Sequence, residues 1–388
     1  MAELHKVALC GAGGFARNAH LPAIVESSNL QLVAVYSRSL SSVNSLLEAT
    51  KKYSSLSNQQ LSVYSDDPAS TESFDALLAR EDIPTVIFSL PITTQPSLIE
   101  KALKAGKNVI SEKPVAPSLK EAKRLIELYE RDYKPRGQTW IVAEQFPWEM
   151  SYCKAKKWVS EGKLGEIRGF KAEIYIQPSK MARNTGWRQV PDYQGGYILD
   201  GGVHFVAGLR HILPYPITSV SATSSQLQEF LPPCDTLTGI LTATPPPSAS
   251  SSAQPPPISG TFAFSFGTES GTARNYTIFG SKASLTVDFS KGSLHTLTLT
   301  SLPTNPEESD PHNLVIELPQ RGVEEEFEAF GKALVEGFES ESWKEVMRRS
   351  GPRATMRDLA IIEGGLKSSK EGIRVDLKDL VGEQWFKI

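Results

Sequence analysis

The stretch VALCGAGGFARNAH, residues 7 to 20, passes from an apolar run through a cluster of glycines into residues with helical spacing. Gly11, Gly13 and Ala16 form a GxGxxA pattern in which each position has its own task. Gly11 allows the tight turn after a strand, Gly13 lets the backbone approach a pyrophosphate, and Ala16 permits a helix to pack closely on its strand. The N-terminus of that helix offers unpaired N–H groups and a positive dipole end to the anion. Without its context the pattern is only a glycine-rich turn. Here a strand precedes it and a helix follows.

Outward from this turn, short apolar runs alternate with longer amphipathic ones: KVALC, LQLVAVYS, LSVYS, TVIFSLP, KNVISEKP and WIVAEQF. The βαβ rhythm predicts a parallel sheet with helices on both faces, a doubly wound α/β domain of Rossmann type over residues 1–146. From Pro147 the rhythm changes. The helix-like EMSYCKAKKWVSEGKLG leads into alternating runs such as IRGFKAEIYI, DTLTGILTAT, SGTFAFSF, NYTIFG, ASLTVDF and LHTLTLT. Period two without intervening helices predicts an α+β domain over 147–388 with a large, mainly antiparallel open sheet. The runs EEEFEAFGKALVEGF and RATMRDLAIIEGGLKSS return to helical period. Residues 244–260, TPPPSASSSAQPPPISG, are too rich in Pro and Ser to form a core and are expected to be an exposed loop.

A chain of 388 residues suits two domains. A charged fraction of 22% and a net charge of -3 give no basic excess to grip nucleic acid or anionic lipid. The expected partner is a small-molecule substrate, with neither nucleic acid nor membrane. Cys10, Cys153 and Cys234 are far apart and lack a CxxC spacing, which fits a reducing compartment. With no apolar leader at the start, the expected location is the cytoplasm. His5, His20, His295 and His312 show no ligand spacing, so no metal is expected.

Cofactor choice is read at the end of the second strand, VAVYSRS. NAD sites usually place a carboxylate there for the ribose 2′-hydroxyl, whereas this segment offers Ser37 and Arg38. A guanidinium fork beside a hydroxyl suits a 2′-phosphate, so NADP(H) is expected over NAD(H). After the fifth strand, SEKPV puts Glu112, Lys113 and Pro114 at the end of a strand where doubly wound folds bind ligands. Lys113 is thereby a candidate cation beside the nicotinamide. In GGYILDGGVH, residues 195–204, a helix would set Asp200 and His204 on one face at i and i+4, with Gly201 and Gly202 letting it press against the cofactor cleft. His204 could then exchange the alcohol proton while Asp200 orients its ring. His211 is expected at the helix end.

These segments, together with HLPA at 20–23, ALKAGKNVISEKP at 102–114 and IFGSKASLTV at 278–287, resemble the GFO/IDH/MocA oxidoreductases over nearly the whole chain. Fungal NADP(H)-dependent members are the nearest in pattern, because Trp187-Arg188-Gln189 precedes the GG…DGGVH segment. The resemblance implies catalytic roles for Lys113, Asp200 and His204 and places Trp187 and Arg188 near cofactor or substrate. The candidate cofactor set is Gly11, Gly13, Gly14, Phe15, Ala16, Ser37, Arg38, Leu90, Pro91, Gln95, Glu112, Lys113, Trp187 and Arg188. Two departures weaken transfer of the substrate. Pro91, Ile92 and Gln95 stand where many relatives have Pro-Asn and then His, and Phe205-Val206-Ala207 lacks a downstream Asp.

The expected activity is hydride transfer between NADP(H) and a carbonyl or secondary alcohol of a sugar, polyol or related molecule. Two readings stand beside it: a glycosidase that retains its nicotinamide cofactor, and a non-catalytic dinucleotide-sensing regulator. The free face of the second sheet, apolar and hydroxyl residues alternating, predicts a homodimer or higher homo-oligomer.

Overall fold

A computed structural model describes residues 4–57, 59–178, 186–245, 256–269, 272–301, 303 and 311–386. The part of the Pro- and Ser-rich segment between 246 and 255 lies outside them. The chain divides into two compact units, residues 1–145 with 323–356, and residues 146–322 with 357–388.

The first unit is built on β1 His5–Cys10, β2 Leu30–Ser37, β3 Ser62–Ser65, β4 Thr85–Phe88, β5 Asn108–Glu112 and β6 Trp140–Ala143. All neighbours run parallel in the order β3-β2-β1-β4-β5-β6. The order reverses between β1 and β4, which is where doubly wound sheets bind ligands. Val7, Ala8, Leu9 and Cys10 are fully buried. An unbroken apolar run, rather than alternation, is what a strand covered on both faces requires. The intervening helices carry their start signals in the sequence. Ser39 and Ser118 cap the helices Leu40–Thr50 and Leu119–Leu128 by accepting from Ser42 N and Glu121 N.

Residues 323–356 also belong to this unit, whereas the sequence reading assigns all of 147–388 to the second domain. The reason is local chemistry that periodicity does not reveal. Phe327 and Phe330 are fully buried, and the Glu328 carboxylate accepts from Ser27 Oγ, Ser28 N and Asn29 Nδ2, each at 2.9 Å. Trp343 Nε1 donates to Thr139 Oγ1 at 2.9 Å.

The second unit holds β7 Ile167–Tyr175, β8 Ile217–Ser225, β9 Thr236–Ala243, β10 Ile258–Ser265, β11 Ala273–Gly280, β12 Ala283–Asp288, β13 Leu294–Ser301, β14 His312–Pro319 and β15 Val375–Asp376. They form one nine-stranded sheet in the order β14-β13-β12-β11-β7-β10-β9-β8-β15. It is antiparallel except for the parallel pair β7 and β10, so the sheet is mixed. One face packs on helices through aromatic rings. Phe205, on the helix Gly196–Ile212, lies 5.6 Å from Phe264, and its carbonyl accepts from Tyr276 Oη at 3.0 Å. Ser151, on the helix Met150–Ser160, shares a 2.7 Å hydrogen bond with His295 Nδ1, and burial pushes that imidazole down to about 4.

Candidate active site

In the first unit the site begins at Gly11, whose φ is +119°. A Cβ there would stand 2.2 Å from the Ser89 carbonyl oxygen, so no other residue fits. The turn is stitched to both neighbouring strands: Gly11 N donates to Tyr36 O and Ser89 N to Cys10 O, each at 2.8 Å. Gly13 and Gly14 are the reverse case. A Cβ on either would meet nothing within 4 Å, so the space over the turn stays open where a pyrophosphate would sit. Helical backbone starts at Gly14, Ala16 is fully buried against the sheet, and Phe15 is partly exposed. Arg17 Nη1 donates to the Ala12 carbonyl at 2.9 Å and braces the turn from the helix side. These residues fit a dinucleotide.

At the end of β2, Ser37 is nearly buried and Arg38 is exposed, with no ion pair to Arg38 among the described residues. Two carboxylates do lie next door, just past the end of β3, and the sequence reading overlooks them. The signal was the pair Asp66-Asp67 after a strand that pairs with β2. Both are spent inside the fold. Asp66 accepts from Tyr36 Oη at 2.8 Å and Phe74 N at 2.9 Å, and Asp67 from Leu40 N and Ala69 N. Burial and then the Asp66 hydrogen bond push the Tyr36 phenol well above its ordinary value.

Leu90 and Pro91 lie half-buried after β4, with Leu90 beside the Gly11 turn. Gln95 opens the helix Gln95–Lys104 and is 2% exposed. Its amide grips the main chain of Glu112 twice, accepting from Glu112 N at 2.8 Å and donating to Glu112 O at 3.2 Å. Gln95 therefore braces the strand end that carries Lys113. The half-buried Lys113 donates its N–H to Ala143 O at 3.2 Å, and the Lys113–Pro114 peptide is cis.

In the second unit the helix Gly196–Ile212 carries Asp200 and His204 on one face. Asp200 is 5% exposed and takes Arg188 Nε at 2.7 Å on its Oδ2. Arg188 comes from the short helix Gly186–Gln189; the Trp187 side chain beside it is outside the described part. His204 is half-buried and stacks on Phe146, centroids 5.0 Å apart and planes 21° from parallel. Tyr193 lies near as well. Burial, and after it the Asp200 charge, push its phenol well above the ordinary range. Phe146 and Tyr193 escaped the sequence reading, since aromatics beside an apolar run look like core.

The glycines of this helix do not serve a cofactor cleft, as the sequence suggested. A Cβ on Gly201 would lie 2.4 Å from the Phe266 ring, and one on Gly202 would lie 3.1 Å from Ile362 Cδ1. Both let the helix pack on its own unit. Gly195 and Gly196 have positive φ and make the turn that starts it. His211, in the last helical turn, is buried. Among the described residues no group of three or more His, Cys, Asp or Glu could hold a metal ion, and no helix is long and apolar enough to cross a membrane.

An open glycine turn at the switch point of a 3-2-1-4-5-6 sheet, followed by a unit that presents a helix with Asp and His on one face, defines a nicotinamide-dependent dehydrogenase or reductase acting on C=O or CH–OH. The profile of the oxidoreductase family with an NAD-binding Rossmann fold matches residues 5–135, and the GFO/IDH/MocA C-terminal domain matches residues 152–286. The chain belongs to the GFO/IDH/MocA family. It is 33% identical over 369 residues to Dehydrogenase FPY6 of Fusarium mangiferae, covering 94% of this chain and 96% of that one. It is 28% identical over 201 residues to a dTDP-3,4-didehydro-2,6-dideoxy-alpha-D-glucose 3-reductase of Streptomyces violaceoruber, 51% of this chain and 52% of the other. Among solved structures, an oxidoreductase from Thermotoga maritima superposes with a TM-score of 0.75 at 26% identity, over 97% of this chain and all of that one, 100%.

Proposed function

We propose that the protein transfers hydride between NADP(H) and a carbonyl or secondary alcohol of a sugar, polyol or related small molecule, with Lys113, Asp200 and His204 as its catalytic residues. The observation that carries the cofactor choice is the end of β2. Arg38 has no ion pair among the described residues, while Asp66 and Asp67 are hydrogen-bonded within the fold. A 2′-phosphate would find a guanidinium and the Ser37 hydroxyl without a competing carboxylate. The sugar class is supported by the likeness to the Streptomyces 3-reductase, whose substrate is a deoxysugar nucleotide with keto groups.

Bound dinucleotide would supply or accept the hydride. Gly11, Gly13, Gly14 and Ala16 would hold its pyrophosphate on the turn. Lys113 contributes a positive charge to the hold on the substrate, and His204 serves as the group that gives or takes the alcohol proton. Phe146 fixes the plane of the imidazole by stacking, and Arg188 fixes Asp200, which steadies the face on which His204 works. The partners are the small-molecule substrate and further copies of the chain, with no nucleic acid or membrane, in the cytoplasm.

Lys113→Ala and His204→Ala test this. Each should keep its melting temperature, and His204→Ala its NADPH affinity as well, while single-turnover reduction of a cognate keto-sugar at saturating NADPH, followed by absorbance, falls roughly a hundredfold. A folded, cofactor-binding His204→Ala enzyme with undiminished rate removes His204 from the chemistry.

A further inference from the structure

Arg274 is the second residue of β11, in the second unit. The residue as a whole is half-buried, but its Nε is shut off from solvent. In register with it stand Ile174 of β7 and, one strand further, Phe264 of β10, both fully buried. Phe264 lies 5.6 Å from Phe205, and Tyr276, two residues along from Arg274, donates to the Phe205 carbonyl. Alternation along the strand therefore puts Arg274 on the face that packs against the helix of Asp200 and His204. On the side of β12, Phe289 N donates to Arg274 O at 2.8 Å. The Phe289 ring is 6.1 Å from Phe146, the ring on which His204 stacks.

Among the described residues the Arg274 guanidinium has no hydrogen bond, no ion pair and no aromatic ring beneath it. The carboxylates on the neighbouring strands, Glu173 of β7 and Asp288 of β12, both oppose Asn275, so they belong to the other face. Both are engaged: Glu173 pairs with Lys171 at 2.9 Å, and Asp288 Oδ1 accepts from Ser290 N at 2.8 Å. A cation set among Ile174, Phe264 and Phe289 with a buried N–H unpaired costs free energy, and no contact within the fold offsets it. Methionine would fill the space of the stem without that cost. We infer that Arg274 holds an oxyanion of the substrate, a carboxylate or a phosphate, on the forked donors of its guanidinium. The substrate is then an anionic derivative of a sugar or polyol. This rests on the reading that His204 exchanges the substrate proton.

The test uses the full chain saturated with NADP+. Calorimetry measures the binding of D-sorbitol, D-gluconate and D-sorbitol 6-phosphate, which share a polyol chain and differ in charge. The wild type should bind one of the two anions about tenfold to a hundredfold more tightly than sorbitol, the scale of a charge-assisted hydrogen bond, and the anion it prefers tells carboxylate from phosphate. Arg274→Met should lose that margin. Arg274→Lys, which keeps the charge without the fork, should keep part of it. Both variants should hold NADP+ within about twofold of the wild type. Arg274→Met should melt no lower than the wild type, because it leaves no partner in the fold unpaired. Three results overturn the inference: neither anion binding the wild type more tightly than sorbitol, a margin that survives in Arg274→Met, or a melting temperature of Arg274→Met well below the wild type. A parallel loss of NADP+ affinity in Arg274→Met overturns it too, since it assigns the guanidinium to the dinucleotide. His204→Ala should keep the preference for the anion. Undiminished turnover in that variant would sink the proton-transfer reading and leave the binding result standing.

Discussion

Arg38 is a single exposed side chain on which the proposed choice of cofactor rests. NADPH and NADH differ only at the 2′ position, so an arginine that forks onto the phosphate contributes to one and not the other. A charge-assisted hydrogen bond contributes about 1.5–3 kcal/mol, which converts to a loss of roughly tenfold to a hundredfold in NADPH affinity for Arg38→Ala. NADH affinity should stay within about twofold, since the stacking surface left behind is small. Titration of both dinucleotides by fluorescence quenching on one preparation reads the ratio, and equal losses would reassign Arg38 to adenine packing. The residue itself was legible in VAVYSRS. The commitment of Asp66 and Asp67 was not, because it depends on where Tyr36, Leu40, Ala69 and Phe74 come to lie.

The helix Gly196–Ile212 shows how far a sequence pattern carries at the scale of an element. The i and i+4 spacing placed Asp200 and His204 on one face correctly, since helix geometry fixes it. The partners of that face, Arg188 and Phe146, come from other segments and leave no local signature. The sequence reading set the glycines against a cofactor cleft, whereas Phe266 and Ile362 are what lies over them. Here the structure makes two neighbouring glycines differ. Gly201→Ala gains up to about 1 kcal/mol of helix propensity but drives a methyl into the Phe266 ring. That ring is 4% exposed and held edge-on by Tyr197 at 4.7 Å, so it has little room to yield. Overpacking of this kind costs about 1–3 kcal/mol and outweighs the propensity gain, so the melting temperature should fall. Gly202→Ala meets Ile198 Cγ2 at an ordinary 3.9 Å and the tip of Ile362 at 3.1 Å, a contact a few tenths of an ångström relieves. Propensity then wins or balances, and thermal unfolding of the two variants side by side should show loss in the first alone.

At the scale of the whole molecule, the two architectures were legible because each follows from a period: unbroken apolar runs between helices for the parallel sheet, alternation for the other. The parallel pairing of β7 with β10 was not, since strands far apart in sequence carry no mark of their neighbours. That pairing nonetheless fixes one row across the outer face of the nine-stranded sheet. In register stand Ile240, Thr261, Lys171, Thr277, Thr286, Thr298 and Val315. The row runs over seven strands, about 29 Å at the usual strand spacing. Its two ends are apolar and open, Ile240 at 50% and Val315 at 55% exposure, and Phe279 two residues along from Thr277 is 42% exposed. Between them stand mostly hydroxyls and one lysine, which is paired with Glu173 at 2.9 Å. A broad face with little net charge and apolar groups spread over it suits another such face better than water, and the symmetric arrangement closes after two copies. We therefore expect a homodimer, or a higher assembly containing it, joined through this sheet. Light scattering at micromolar concentration should give at least twice the mass of the chain. Ile240→Lys combined with Phe279→Glu should shift it to the single chain without lowering NADPH affinity, because both residues lie in the unit that does not carry the glycine turn. A wild-type protein that runs as a monomer would show that the face is covered by nothing of its own kind.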